Sequence, residues 1–231
     1  MQGGRRIRKS WLIDAVVVAL LTLFVFSHLA VPRLFEDTMT VGGDVPAHNY
    51  MASHLKASML DNGRIISWAP GWWCGFPIFQ YYFSLPYVLI VLLSCLMPFN
   101  IAFKLGMVTG ILCLPAACYG SARFFRLPRP IPLLFATVAI LMLFVKSHSM
   151  WGVNIYSTLS GMIANSMSFA LMILSLGSTY DDLLTGRFRL RTVFLIASVI
   201  ASHFFTGLML AMLMMILPLS GACPHGRWRS G

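Results

Sequence analysis

The sequence predicts an all-α protein whose helices cross a membrane several times, and three observations carry that expectation. Of 231 residues, 58% are hydrophobic and only 10% are charged. A water-soluble domain cannot cover itself with so few polar side chains, so lipid must solvate most of this chain. Apolar runs at 11–31, 101–122, 131–146, 162–178 and 192–217 have the composition of spanning helices, about five in all. The basic residues fall in short clusters between those runs: "RRIRK" at 5–9, "RFFRLPR" at 123–129 and "RFRLR" at 187–191. Such clusters mark cytoplasmic loops under the positive-inside bias. The formal net charge of +10 is therefore spread over several loops, and the pattern argues against nucleic acid as a partner.

The elements follow in order along one transmembrane domain, 1–231. The first run, Trp11 to Val31, is long enough to span, and a cut after Ala30 would put His28 where a signal peptidase wants a small residue. It reads as a retained anchor in the plasma membrane of a multi-pass protein, with its N-terminus in the cytoplasm. The next apolar run, 85–98 ("LPYVLIVLLSCLMP"), has about 14 residues between prolines, which is short for a crossing. If it crossed, the second and third basic clusters, with six arginines between them, would face outside. It therefore reads as a short embedded helix, leaving an outer loop at 32–100 and a second at 147–161.

The first outer loop has structure of its own. Gly42-Gly43 is a turn, and Asp44 with Pro46 two residues later is a helix start. The surface helix runs over about 45–62 and Gly63 stops it. Its apolar positions Val45, Ala52, Leu55 and Met59 keep helical spacing, with Asn49, Ser53, His54 and Lys56 around much of the rest. An aromatic turn, "SWAPGWWCGFPIFQYYF", follows. The five cysteines show no C-x-x-C spacing and read as small hydrophobes. The short polar tail "SGACPHGRWRSG" gives the expectation of an amino-terminal fragment of a longer membrane protein.

Seven acids are available for chemistry, and the topology sorts them. Asp181 and Asp182 read as ordinary loop charges on the cytoplasmic side. Asp14, about one turn into the first span, reads as a partner of Arg8 or Lys9, with an intramembrane site as the alternative. His203, in the last run, needs a partner on a neighbouring helix. Glu36, Asp37, Asp44 and Asp61 share the outer loop. Asp44 admits two readings: a helix N-cap, or a site acid beside His48, which lies one turn on and faces the same way. Gly42-Gly43 would let a ligand approach closely. Arg64, Lys56 and Lys146 suit a phosphate or a lipid headgroup. Trp68, Trp72 and Trp73 suit a sugar ring or an interfacial aromatic belt.

The stretch "GGDVPAHNYMASHLKASMLDNG", the aromatic turn and "FSLPYVLIVLL" together resemble the first outer loop of GT-C glycosyltransferases. The likeness extends to bacterial and archaeal membrane proteins labelled as related to 6-pyruvoyl-tetrahydropterin synthase. It implies a multispanning enzyme that transfers a sugar from a polyprenyl-phosphate carrier at the outer face. By position Asp44 matches the family's first-loop acid; in this reading Asp44 and His48 are the catalytic residues, and Arg64 for its charge, Trp72 and Trp73 for their rings, and Asn165 for its amide oxygen are on the substrate. The family's second outer loop ends in an acidic motif, whereas the matching stretch here, "STLSGMIANS", has Asn165 and no acid. A divalent cation, with Asp44 as its only carboxylate, is therefore doubtful, and no cofactor is established. Asp44 acting as a base without metal is the simpler expectation. The alternatives are a transporter or lipid-handling permease working through Asp14 and His203, and a non-catalytic membrane scaffold. Membrane lipids are partners under every reading.

Overall fold

A computed structural model describes residues 2–148 and 152–220; the polar tail and Cys223 lie outside them. The described residues are helical throughout, with no strand beyond a single bridge between Ala69 and Phe76. Helix α1 (Gln2–Ser27) and the one-turn α2 (Val31–Leu34) lead into α3 (Val45–Asn62). The segment before α6 closes with α4 (Ile78–Tyr81) and α5 (Leu85–Ser94). Then come α6 (Phe99–Phe124), α7 (Ile131–Leu143), α8 (Ile155–Leu159), α9 (Ile163–Thr185), α10 (Leu190–Ser202) and α11 (Phe204–Ile216).

One described helix, α6, is long and apolar enough to cross a membrane. Its 26 residues extend about 39 Å. Shorter apolar helices surround it, and they turn large hydrophobic side chains outward: Leu12, Val16 and Leu20 on α1, Leu134 and Leu141 on α7, Phe194 on α10, Met212 and Met215 on α11. Exposed faces of this kind fit a protein dissolved in lipid.

Two expected runs are broken. The first ends at Ser27; Ala30 then adopts a left-handed conformation (φ 49°) and Pro32 sits in the first turn of α2. The last, 192–217, divides at His203, whose backbone is extended (φ −164°, ψ 119°). Its imidazole Nδ1 accepts from the Thr206 backbone N–H (3.3 Å) and lies 2.9 Å from the Thr206 hydroxyl, so it caps α11 instead of reaching another helix. Gly207 then lies against Ile200, which folds α11 back toward α10.

Glycines set the helix directions. The backbone at Ser166–Met167 of α9 occupies the space a Cβ at Gly110 of α6 would need, and Gly177 of α9 likewise abuts Ser121 of α6. Matching ascending positions means that α6 and α9 run parallel. On the other side Asp14 of α1 accepts from Tyr119 of α6 (2.9 Å), while Thr22 donates to the Leu112 carbonyl (3.4 Å), so α1 is antiparallel to α6. Helix α5 packs antiparallel on α6 through Ile90 and Gly106.

The bundle therefore has two distinct ends. At one, Arg129 pairs with Asp14, which is 2% exposed; the expected partners Arg8 and Lys9 lie outside the described side chains. Arg126, Arg189 and Arg191 converge on Asp181 at 2.9, 2.5 and 2.6 Å. Asp182 is buried and accepts from the Arg189 backbone (3.0 Å) and the Thr192 hydroxyl (2.7 Å). These two aspartates are thus not solvated loop charges but the clasp between the α6–α7 and α9–α10 connections. At the other end, the buried Lys104 ammonium donates to the carbonyls of Arg33 and Glu36, both at 2.5 Å, and Asn100 donates to Asp37 (2.9 Å). Both contacts bind the segment that follows α2 to the start of α6.

Candidate functional site

Asp44 is placed by contact between the loop that precedes α3 and the loop that precedes α9. Gly42 and Gly43 both have positive φ (130° and 47°), and the Ser160 carbonyl sits where a Cβ on Gly43 would stand. The Asp44 backbone N–H donates to that carbonyl at 2.9 Å. Gly161, at φ 117°, brings the second loop so close that a Cβ there would lie 2.9 Å from Asp44 Cβ. The Asp44 backbone carbonyl accepts the His48 N–H (3.1 Å), the first bond of α3.

The carboxylate makes no capping bond. An N-cap side chain accepts from its helix from extended backbone, but Asp44 has ψ 2° and Pro46 has no N–H to donate to it. The exposed carboxylate is left at the mouth of a pocket of about 390 Å³, whose walls include His48, Trp72, Phe76 and Tyr82. The capping reading is thus not the one realised.

His48 is on the buried face of α3, and its Nδ1 lies 2.6 Å from the hydroxyl of Tyr87, which is wholly buried on α5. Burial lowers the imidazole pKa from its ordinary value, against a smaller upward pull from Asp44. Tyr82, whose ring centroid stands 6.4 Å from that of His48, has its phenol pushed upward by burial, with the Tyr87 hydroxyl acting the other way.

The aromatic turn closes the pocket from above. Ala69 and Phe76 exchange backbone hydrogen bonds (2.9 and 3.2 Å), and Tyr50 of α3 accepts from the Gly71 N–H (2.9 Å). Tyr50 also holds Trp72, with ring centroids 6.1 Å apart, so Trp72 forms wall. Trp73, the next residue, is 92% exposed with φ 56° and points away.

The pocket thus gathers Asp44, His48 and Trp72. It does not gather Arg64, Trp73 or Asn165. Arg64 is exposed beyond the end of α3, where Ser58 donates to its carbonyl (2.8 Å). Asn165 lies in the first turn of α9 with its side-chain oxygen against Gly152. Tyr82 and Tyr87 were not among the expected site residues. Their one sequence signal is a pair of phenols flanking an otherwise apolar stretch.

Among the described residues, no three His, Cys, Asp or Glu side chains come together. Asp44 with a single imidazole makes a poor donor set for a divalent cation, which prefers several oxygen ligands. What the pocket offers is a free acid at its mouth, a buried neutral imidazole, and aromatic faces. Comparison with protein-family models, curated proteins and solved structures finds no match.

Proposed function

We propose that this chain is a plasma-membrane, multi-pass glycosyltransferase of GT-C type, or part of one, with about five crossings and a cytoplasmic N-terminus. It transfers a sugar from a polyprenyl-phosphate carrier at the end of the bundle opposite the arginine clusters. One observation carries the reading: the Asp44 carboxylate stands uncapped at the mouth of an aromatic pocket. Acids beside aromatic faces suit carbohydrate, because the acid meets hydroxyls while the ring covers the C–H face.

In this reading Asp44 takes the proton of an acceptor hydroxyl as its oxygen bonds to the anomeric carbon. The anomeric carbon–oxygen bond to the carrier breaks, and the lipid phosphate leaves with the electron pair. Trp72 holds the sugar. The transport reading has less support, since Asp14 is bound by Arg129 and Tyr119 and His203 by Thr206.

The test is transfer by the full chain in liposomes containing a polyprenyl-phosphate sugar labelled in the sugar. Asp44→Asn is expected to lower the rate by roughly a hundredfold or more, the lower range for loss of a general base. Equal rates for the two proteins would remove Asp44 from the reaction.

A further inference from the structure

The reading above leaves His48 without a defined role, and the hydrogen bond behind it supplies one. The Tyr87 hydroxyl is 2.6 Å from His48 Nδ1, with the phenol wholly enclosed between α3 and α5. The Tyr82 ring stands beside it, with ring centroids 6.1 Å apart. Tyr87 has one proton to give and two neighbours. An imidazole nitrogen is a much stronger acceptor than a phenol oxygen, so the proton goes to Nδ1. A neutral imidazole accepting at Nδ1 carries its own proton at Nε2. That nitrogen bonds no described residue, and the ring lines the pocket.

We propose that Tyr87 is a positioning residue that fixes His48 as the Nε2–H tautomer, making His48 a donor aimed at an anionic oxygen in the pocket. Resting on the transfer reading, this separates two roles within one site. Asp44 accepts the incoming proton, and His48 donates a hydrogen bond to the phosphate oxygen of the leaving group. The imidazole neither competes with Asp44 as a base nor presents a lone pair to an anion. Charge on the leaving oxygen grows as the bond breaks, so a donor fixed in place beforehand favours the transition state over the bound donor sugar.

The tautomer is read directly by nitrogen-15 NMR of the full chain in nanodiscs, labelled at histidine, without any substrate. His48→Gln removes one of the six histidine signal pairs and so assigns His48. The wild type is expected to show Nδ1 far downfield as an unprotonated nitrogen, with a proton coupling at Nε2 alone. Tyr87→Phe is expected to move the two nitrogen shifts toward each other as the tautomers equalise. A short-chain polyprenyl phosphate, added to the wild type, is expected to shift the Nε2 proton downfield. A proton on Nδ1, or an imidazolium at neutral pH, overturns the proposal from the wild type alone, even if Tyr87→Phe fails to fold. An unmoved tautomer in a folded Tyr87→Phe overturns the positioning role, and an unmoved Nε2 proton overturns the donor role. Because no turnover is involved, these outcomes are independent of whether Asp44→Asn abolishes transfer.

Discussion

At the scale of single residues, His48 ties the site to the stability of the fold. Its imidazole pKa lies below the ordinary 6.5, because burial disfavours the charged ring more than Asp44 favours it. The unfolded chain therefore binds the proton more readily than the folded one. The His48 contribution is complete above the unfolded value and is lost as pH falls from about 6.5 toward the lower folded value. The wild type is expected to lose thermal stability across that window in detergent, and His48→Gln to lose less. Parallel curves would mean that His48 titrates alike in both states. Asp44, His48 and Trp72 were legible in the sequence because a helix start and an aromatic turn are local signals. Tyr87 was not, since it meets His48 across 39 positions and only packing brings them together. Arg64 was expected for its charge and Asn165 for its place in a matching stretch, and neither residue reaches the pocket.

At the scale of elements, α3 followed the sequence closely. Gly42-Gly43 and Pro46 start it, and Gly63, at φ 63°, ends it at Asn62. The last apolar run did not, because hydropathy reports composition over a window and is blind to one residue that turns the backbone. His203 reads as a polar residue needing a partner, and the partner it takes is the N-terminus of the helix that follows. The loop charges already make α6 and α9 run the same way, but their contact was hidden, since it rests on which faces carry Gly110 and Gly177. It can be tested by comparing two glycines. At Gly177 a Cβ would lie 2.7 Å from the Ser121 Cα and carbonyl oxygen, backbone atoms that cannot yield without moving the helix. At Gly120 the obstruction is the tip of Leu174, 2.9 Å away, which can rotate aside. Gly177→Ala is expected to cost about 1–3 kcal/mol, the usual range for overpacking, and Gly120→Ala less. Unfolding midpoints in detergent measure both. Equal losses would show that the α6–α9 backbone contact is not what limits the packing.

At the scale of the whole molecule, the arginine clusters and the Asp44 pocket occupy opposite ends of the bundle. Charge patterning made that arrangement legible without any tertiary information, because the positive-inside bias acts on loops one at a time. The number of crossings is a different matter: α6 alone is both long and apolar enough to span among the described helices, and the break at His203 shows how one apolar run can become two short helices. The sidedness prediction can use a native reporter. Cys74 is exposed in the turn that roofs the pocket, one residue beyond Trp73. A variant keeping Cys74 and replacing the other four cysteines with alanine isolates it. At the opposite end Arg187 is exposed beside the Asp181–Asp182 clasp, and Arg187→Cys in a cysteine-free background gives the second probe. With a membrane-impermeant maleimide, Cys74 is expected to label in sealed, right-side-out vesicles, and the cysteine at 187 only after they are opened. Labelling of both from one side would mean that the bundle does not traverse the bilayer along α6. The reverse pattern would put Asp44 in the cytosol, away from any carrier at the outer face, and would end the proposed reaction while leaving the pocket geometry as it is.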